Sequence, residues 1–199
     1  MSETTQPNAD NPFSSRWIRP GAIPFFFPAG HSAETLLERL RQNGWRGQIV
    51  GPHGSGKSTL LATLLPRVEQ TGRRVQLVVL HDRQRRLPID LGGNGEPTAP
   101  TLLVVDGYEQ LSSLSRLRVR RACRRRGSGL LVTAHTPVGL PDLFRTTANL
   151  DAARQIVQHL LADRQPAVDD EDLRRRLEQQ RGNLRELLFD LYDLYETRR

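Results

Sequence analysis

Gln48-Ile49-Val50-Gly51-Pro52-His53-Gly54-Ser55-Gly56-Lys57-Ser58-Thr59-Leu60-Leu61 joins an apolar run, a glycine-rich turn and an apolar stretch with helical spacing. Its centre follows the pattern G-x-x-x-x-G-K-[ST], which predicts a strand, a loop and a helix N-terminus in that order. Gly51, Gly54 and Gly56 permit backbone angles closed to other residues, so successive amides can turn inward onto an anion. Lys57 is the only lysine of the chain, and the other 28 basic side chains are arginines. A compact ammonium fits beside the β- and γ-phosphates of a nucleotide, where a planar guanidinium fork is too wide and stiff. The stretch therefore predicts nucleotide binding by Gly51, Pro52, His53, Gly54, Ser55, Gly56, Lys57, Ser58 and Thr59, with the Ser58 hydroxyl on Mg²⁺. The plain alternative is a glycine-rich strand-to-helix turn with an incidental lysine.

Outward from this loop, apolar strands alternate with helices. Ser32 reads as the N-cap of a helix that stops at Gly44, with Leu36, Leu37 and Leu40 on one face, and Trp45 to Val50 is the strand before the loop. Val75 to Leu80, Thr101 to Asp106 and Leu130 to Thr133 read as buried strands, and residues 144–148 as a short edge strand. Pro20, Pro24 and Pro28 exclude a helix and predict an extended segment across the body of the domain. From Asp151 only helices follow, at 151–163, 170–180 and 184–197. The order predicts a three-layer parallel α/β domain with a small C-terminal helical lid. Its divisions are a disordered start (1–11), a core with an extended N-terminal linker (12–150) and the lid (151–199). The 83–100 connection, glycine-rich at its centre, reads as a long mobile loop.

A chain of 199 residues with 37% hydrophobic residues is long enough to build its own core. A single cysteine, Cys123, excludes an internal disulfide framework and fits a reducing compartment; the arginines around it would lower its pKa, while packing in a helix would leave it inert. No apolar run approaches the ~18 residues of a membrane span, and no apolar leader opens the sequence, so a soluble cytoplasmic protein is expected. The five histidines show no metal-ligand spacing with Cys123, and no nucleophile elbow is present. The formal charge of +7 gains weight from Arg116 to Arg126, seven arginines in eleven residues. That run offers phosphate contacts to a nucleic acid, a surface for a protein partner, or only a solvated helix face.

The strand ending in Asp106 supplies a second constellation. A carboxylate there can hold the Mg²⁺ ligand shell through water while Ser58 coordinates the ion, or can simply initiate the turn at Gly107. The Walker A loop with Lys57 and Ser58, the Asp106 strand, the polar strand end from Thr133 to Thr136, and Gly182-Asn183-Leu184-Arg185-Glu186 together resemble the AAA+ ATPases. More broadly they resemble P-loop NTPases with an additional catalytic glutamate, and the likeness spans residues 17–197. The resemblance implies ATP and Mg²⁺ as ligands and Arg19-Pro20 as the start of a linker beside the adenine. It makes Thr133 or His135 a phosphate sensor and Arg185 a lid arginine that reaches the γ-phosphate; a surface arginine paired with Glu186 or Asp190 is the alternative. The family usually sets its water-activating glutamate directly after the metal-binding aspartate, whereas this chain has Asp106-Gly107-Tyr108-Glu109. Glu109 would reach the γ-phosphate if Gly107 turns the chain sharply, or would serve as an acid at a helix N-terminus. NACHT-type signalling ATPases show a similar Asp-Gly offset. Ring-forming relatives imply a homo-oligomer in which an arginine near the end of the 116–126 run acts on a neighbouring subunit.

These features predict an ATPase that uses hydrolysis to drive conformational change in a partner. Two alternatives stay open: a low-turnover nucleotide switch that binds DNA or protein through its arginine-rich helix, and a small-molecule kinase.

Overall fold

The strands of a computed structural model, which describes residues 11–81, 84–88, 100–162 and 168–197, are Arg46–Val50 (β1), Arg74–Val79 (β2), Thr101–Asp106 (β3), Gly129–Ala134 (β4) and Asp142–Arg145 (β5). They form one all-parallel sheet in the order β2-β3-β4-β1-β5. The helices among the described residues are Ser15–Ile18 (α1), Ala33–Gln42 (α2), Lys57–Glu69 (α3), Ser113–Arg125 (α4), Leu150–Leu161 (α5), Asp170–Gln179 (α6) and Leu184–Thr197 (α7).

A parallel sheet is stable when both faces are covered, and the side-chain period of two sorts each strand between them. Leu102 and Val104 of β3 join Leu36 and Leu40 of α2 and Leu60, Leu61 and Leu64 of α3 on one face. Leu103 and Val105 point the other way and join Val119 and Cys123 of α4 with Leu130 and Val132 of β4. Helices therefore cover both faces, which is compatible with three layers. A separate apolar cluster unites α5, α6 and α7 through Val157, Leu173, Leu187 and Leu191, and it includes Phe13 and Ile23 from the start of the chain. The N-terminal segment thus belongs to two places: Phe13 and Ile23 seal the helical tail, while Phe25 and Phe27 pack against the α2–α3 face.

Local chemistry sets the helix starts. Ser32 and Thr35 form a reciprocal capping box at α2, and the side chains of Ser112, Asn149 and Asp169 cap α4, α5 and α6. Three features differ from the sequence reading, two of them with a visible physical cause. The one-turn helix α1 forms ahead of Arg19. The edge strand β5 begins earlier than residue 144, because the Gln48 amide donates to the Pro141 carbonyl (2.9 Å) and the Gln48 side chain holds Asp142. Asn11, placed in the disordered start, is fully buried: its amide donates to the Tyr192 carbonyl and to Glu196, and its Oδ1 accepts from the Phe13 amide. The rest of that expectation, residues 1–10, lies outside the described residues, as does most of the 83–100 connection. Within the latter, the Arg85 carbonyl accepts from the Ser112 amide and the Ser115 hydroxyl at the start of α4.

Cys123 is buried, and burial pushes its thiol up to about 11 against the opposing fields of Arg46 and Arg126. Desolvation outweighs the neighbouring arginines, so a reactive thiol is not what this packing produces. No helix among the described residues is long and apolar enough to cross a membrane.

Candidate functional site

The residues singled out by the sequence meet at the carboxyl ends of β1, β3 and β4, where parallel α/β sheets place their ligands. Because β4 lies between β1 and β3, its last residues stand between the glycine loop and Asp106. Ser58, one residue into α3, donates its hydroxyl to Asp106 Oδ2 at 2.7 Å. Thr133 is fully buried on β4; its hydroxyl donates to Asp106 Oδ1 and accepts from the Gly107 amide at 2.9 Å. The Asp106 carboxylate is thereby gripped from both sides by hydroxyls, and Thr133 also fixes the turn that follows it.

That turn brings Glu109 to the site despite its offset. Gly107 has φ +85, in the left-handed region that favours glycine, and a Cβ there would press against the Leu80 carbonyl at 3.0 Å. A 3₁₀ turn over Tyr108–Gln110 then presents Glu109 to His135, Oε1 to Nε2 at 3.3 Å. The second carboxylate oxygen, Oε2, is buried and has no hydrogen-bond partner among the described residues. Arg116 anchors the turn from α4 by donating to the Glu109 carbonyl (2.8 Å) and the Leu111 carbonyl (3.0 Å). The His53 ring meets the His135 ring edge-on at 5.9 Å, so the loop itself borders this pair.

The glycine loop is held open from behind. Gly54 and Gly56 have φ of +71 and +90, and Gly56 is the residue from which α3 starts. The Lys57 ammonium is folded onto the loop, donating to the carbonyls of Gly51 and Pro52 at 2.7 Å each. Burial holds its pKa below the ordinary lysine value, while the carboxylates of Glu109 and Asp106 pull it back up. Ser55 donates to the Pro52 carbonyl and shares a 2.6 Å hydrogen bond with Thr146, just beyond β5. A Cβ on Gly51 would sit 2.1 Å from Thr146 Oγ1.

The helical tail reaches the same place. The Leu184 amide donates to the Gly54 carbonyl at 3.2 Å, and Asn183 Oδ1 caps α7 by accepting from the amides of Arg185 and Glu186. Arg185 lines the cleft and is exposed, with no ion pair among the described residues; Asp190, one of its expected partners, is taken by Arg176 at 2.6 Å. The cleft has a volume of about 1340 Å³. Its lining joins polar groups, Lys57, Asp106 and Glu109 among them, with apolar side chains such as Ile23, Phe25, Phe26, Ile156 and Leu188. The Phe25 amide is tied to the Thr63 hydroxyl of α3 at 3.0 Å, which fixes the linker against the loop helix.

Every residue proposed for the site from sequence lies at this cleft or in the loop beside it. Thr133 and His135, rivals for one role, occupy different ones: Thr133 serves Asp106 and His135 serves Glu109. Thr146, Thr63 and the capping role of Asn183 escaped the sequence reading, because an isolated polar residue on an edge or a helix carries no spacing signal. No group of three His, Cys, Asp or Glu side chains suited to a metal occurs among the described residues. No protein-family model matches the chain, and no curated protein matches it significantly.

Proposed function

We propose that this chain is a P-loop ATPase of the additional-catalytic-glutamate type, which binds Mg·ATP at its glycine loop and uses hydrolysis to drive conformational change in a partner. The observation that carries this reading is the convergence of Lys57, Ser58, Asp106, Thr133 and Glu109, contributed by separate segments, at one cleft. The donor set suits magnesium: a hydroxyl and a carboxylate in contact are hard oxygen ligands, so Ser58 would hold the ion and Asp106 its water shell. Magnesium, when bound, neutralises charge developing on the transferring phosphoryl group.

The chain's own residues supply positioning and charge. Amides of the glycine loop and the α3 N-terminus bind phosphate oxygens, and the Lys57 ammonium exchanges its two loop carbonyls for them. Glu109, with one buried oxygen lacking a partner, orients water for in-line attack and accepts its proton. His135 holds the other oxygen, and Arg185 brings a positive charge from the lid to the γ-phosphate. Apolar side chains that line the cleft, such as Ile23, Phe26 and Leu188, would receive the base. The Leu184–Gly54 hydrogen bond gives a path from loop to lid, since a shift of Gly54 on phosphate binding acts directly on α7.

A second reading draws on two contacts. With Lys57 folded onto its loop and Glu109 held by His135, the resting site also suits a nucleotide switch of low turnover. Phosphate release from Mg·ATP by the parent, Glu109→Gln and Lys57→Ala proteins separates the two. The ATPase reading expects turnover to fall at least ~100-fold without Glu109. Absence of turnover in the parent, with ATP binding that Lys57→Ala abolishes, would replace it with the switch. Failure of the parent to bind ATP would sink both.

A further inference from the structure

The opposite end of the sheet carries a feature that is scattered in sequence. All five strands are parallel, so their amino ends share the edge farthest from the cleft. β1 begins at Arg46, β2 at Arg74 directly after Arg73, α2 has Arg41 in its last turn, and α4 ends in Arg124 and Arg125. The register sets Arg74 beside Thr101, Leu102 beside Gly129, and Leu130 beside Arg46. Arg74 and Arg46 therefore stand three strand spacings apart, about 14 Å. The end of α4 joins them, since both Arg46 and Arg126 act on Cys123. Trp45 gathers two more: the Arg73 guanidinium lies 4.0 Å over its ring and that of Arg41 at 5.9 Å, while Arg73 also donates to the Thr101 carbonyl.

Few acids among the described residues oppose this band. Glu38 contacts Arg41 at 3.8 Å, Asp142 is taken by Gln48 and Arg145, and Glu69 ends α3. Arg74, Arg124 and Arg125 are exposed and make no ion pair among the described residues. The carboxyl ends of α2, α3 and α4 offer about half a negative charge each, which offsets only part of the excess. Large exposed apolar side chains among the described residues are Trp17, Leu77, Val79, Leu114, Leu117 and Phe189, and none is at this end. A protein interface needs a buried apolar centre, and stable attachment to a membrane surface takes an apolar anchor beside the basic residues. Arginine forks without either match phosphodiesters.

We propose that the arginine-covered amino end of the sheet binds the phosphate backbone of a nucleic acid, on the face opposite the cleft. This goes beyond the ATPase reading and does not depend on it. The site is not the arginine run of α4 as such, because Arg116 and Arg120 of that run are spent on backbone carbonyls of Glu109, Leu111 and Val138.

Fluorescence anisotropy with a labelled 25-base-pair duplex and its single strand tests this. The parent protein is compared with Arg74→Ser/Arg124→Ser/Arg125→Ser and with Arg118→Ser/Arg174→Ser/Arg181→Ser, which removes three charges elsewhere. Melting temperatures of all three establish folding. At about 50 mM salt, loss of the first set should weaken binding at least tenfold and flatten the plot of log affinity against log salt by about three. The second set should stay within about twofold of the parent, because its arginines touch no phosphate. Equal loss in both variants would reduce the effect to net charge and overturn the proposal. So would absence of binding by the parent, or binding to phosphatidylserine vesicles in place of DNA.

Discussion

Gly54→Ala tests the contact between the glycine loop and the lid. Gly54 has φ +71, and a Cβ there would fall 1.7 Å from Asn183 Oδ1, the atom that caps α7. Alanine in the left-handed region costs about 1–2 kcal/mol. The new methyl also displaces Asn183 and forfeits its cap, worth about 1 kcal/mol. Gly54→Ala should therefore destabilise by about 2–3 kcal/mol, and Asn183→Ala alone by about 1 kcal/mol. In the double variant the cap is lost only once, so the total should stay at about 2–3 kcal/mol, leaving a coupling of about 1 kcal/mol. Urea denaturation of the four proteins measures this, and melting should follow at about 2–4 °C per kcal/mol for a chain of this size. Additivity within about 0.3 kcal/mol would refute the reasoning, because it would mean that Asn183 does not sit over Gly54.

Two further outcomes follow from burial at the sheet. Thr133→Val keeps the side-chain shape but leaves the Gly107 amide without its acceptor and Asp106 Oδ1 without a donor; denaturation should show a loss of about 1–3 kcal/mol. A fully neutral result would mean that these groups find other partners. Cys123, with its thiol pushed up to about 11, should resist a thiol reagent at pH 8 in the folded protein and react on unfolding. The thiolate fraction grows as pH rises toward that value, so labelling of the native state should accelerate above pH 9; rapid labelling at pH 8 would show the site to be open.

The glycine loop was legible because its constraints are local. Glycines at 51, 54 and 56, one lysine and a hydroxyl lie within eight positions, and the apolar runs on either side have periods of their own. Asp106 was legible as the polar end of an apolar strand. Glu109 stood open between two readings; the left-handed Gly107 and the two carbonyls that fasten Arg116 to the turn bring it to the cleft beside His135. The arginine run gave no such division: residues neighbouring in sequence on α4 split between structural hydrogen bonds, as at Arg116 and Arg120, and open solvent, as at Arg124 and Arg125. Arg46 and Arg74, far apart in the chain, fall on one edge instead.

The amino-acid sequence by itself determined the alternation of strands and helices, the loop and its single ammonium, and the helical character of the tail, since periodicity, capping and glycine angles act over a few residues. Only the tertiary structure decided the strand order that sets Asp106 between the hydroxyls of Ser58 and Thr133, the pairing of His135 with Glu109, the seating of Asn183 over Gly54, and the gathering of arginines at the far edge. Those depend on which strands lie side by side, and strand pairing is governed by the burial of whole faces rather than by any short stretch of chain.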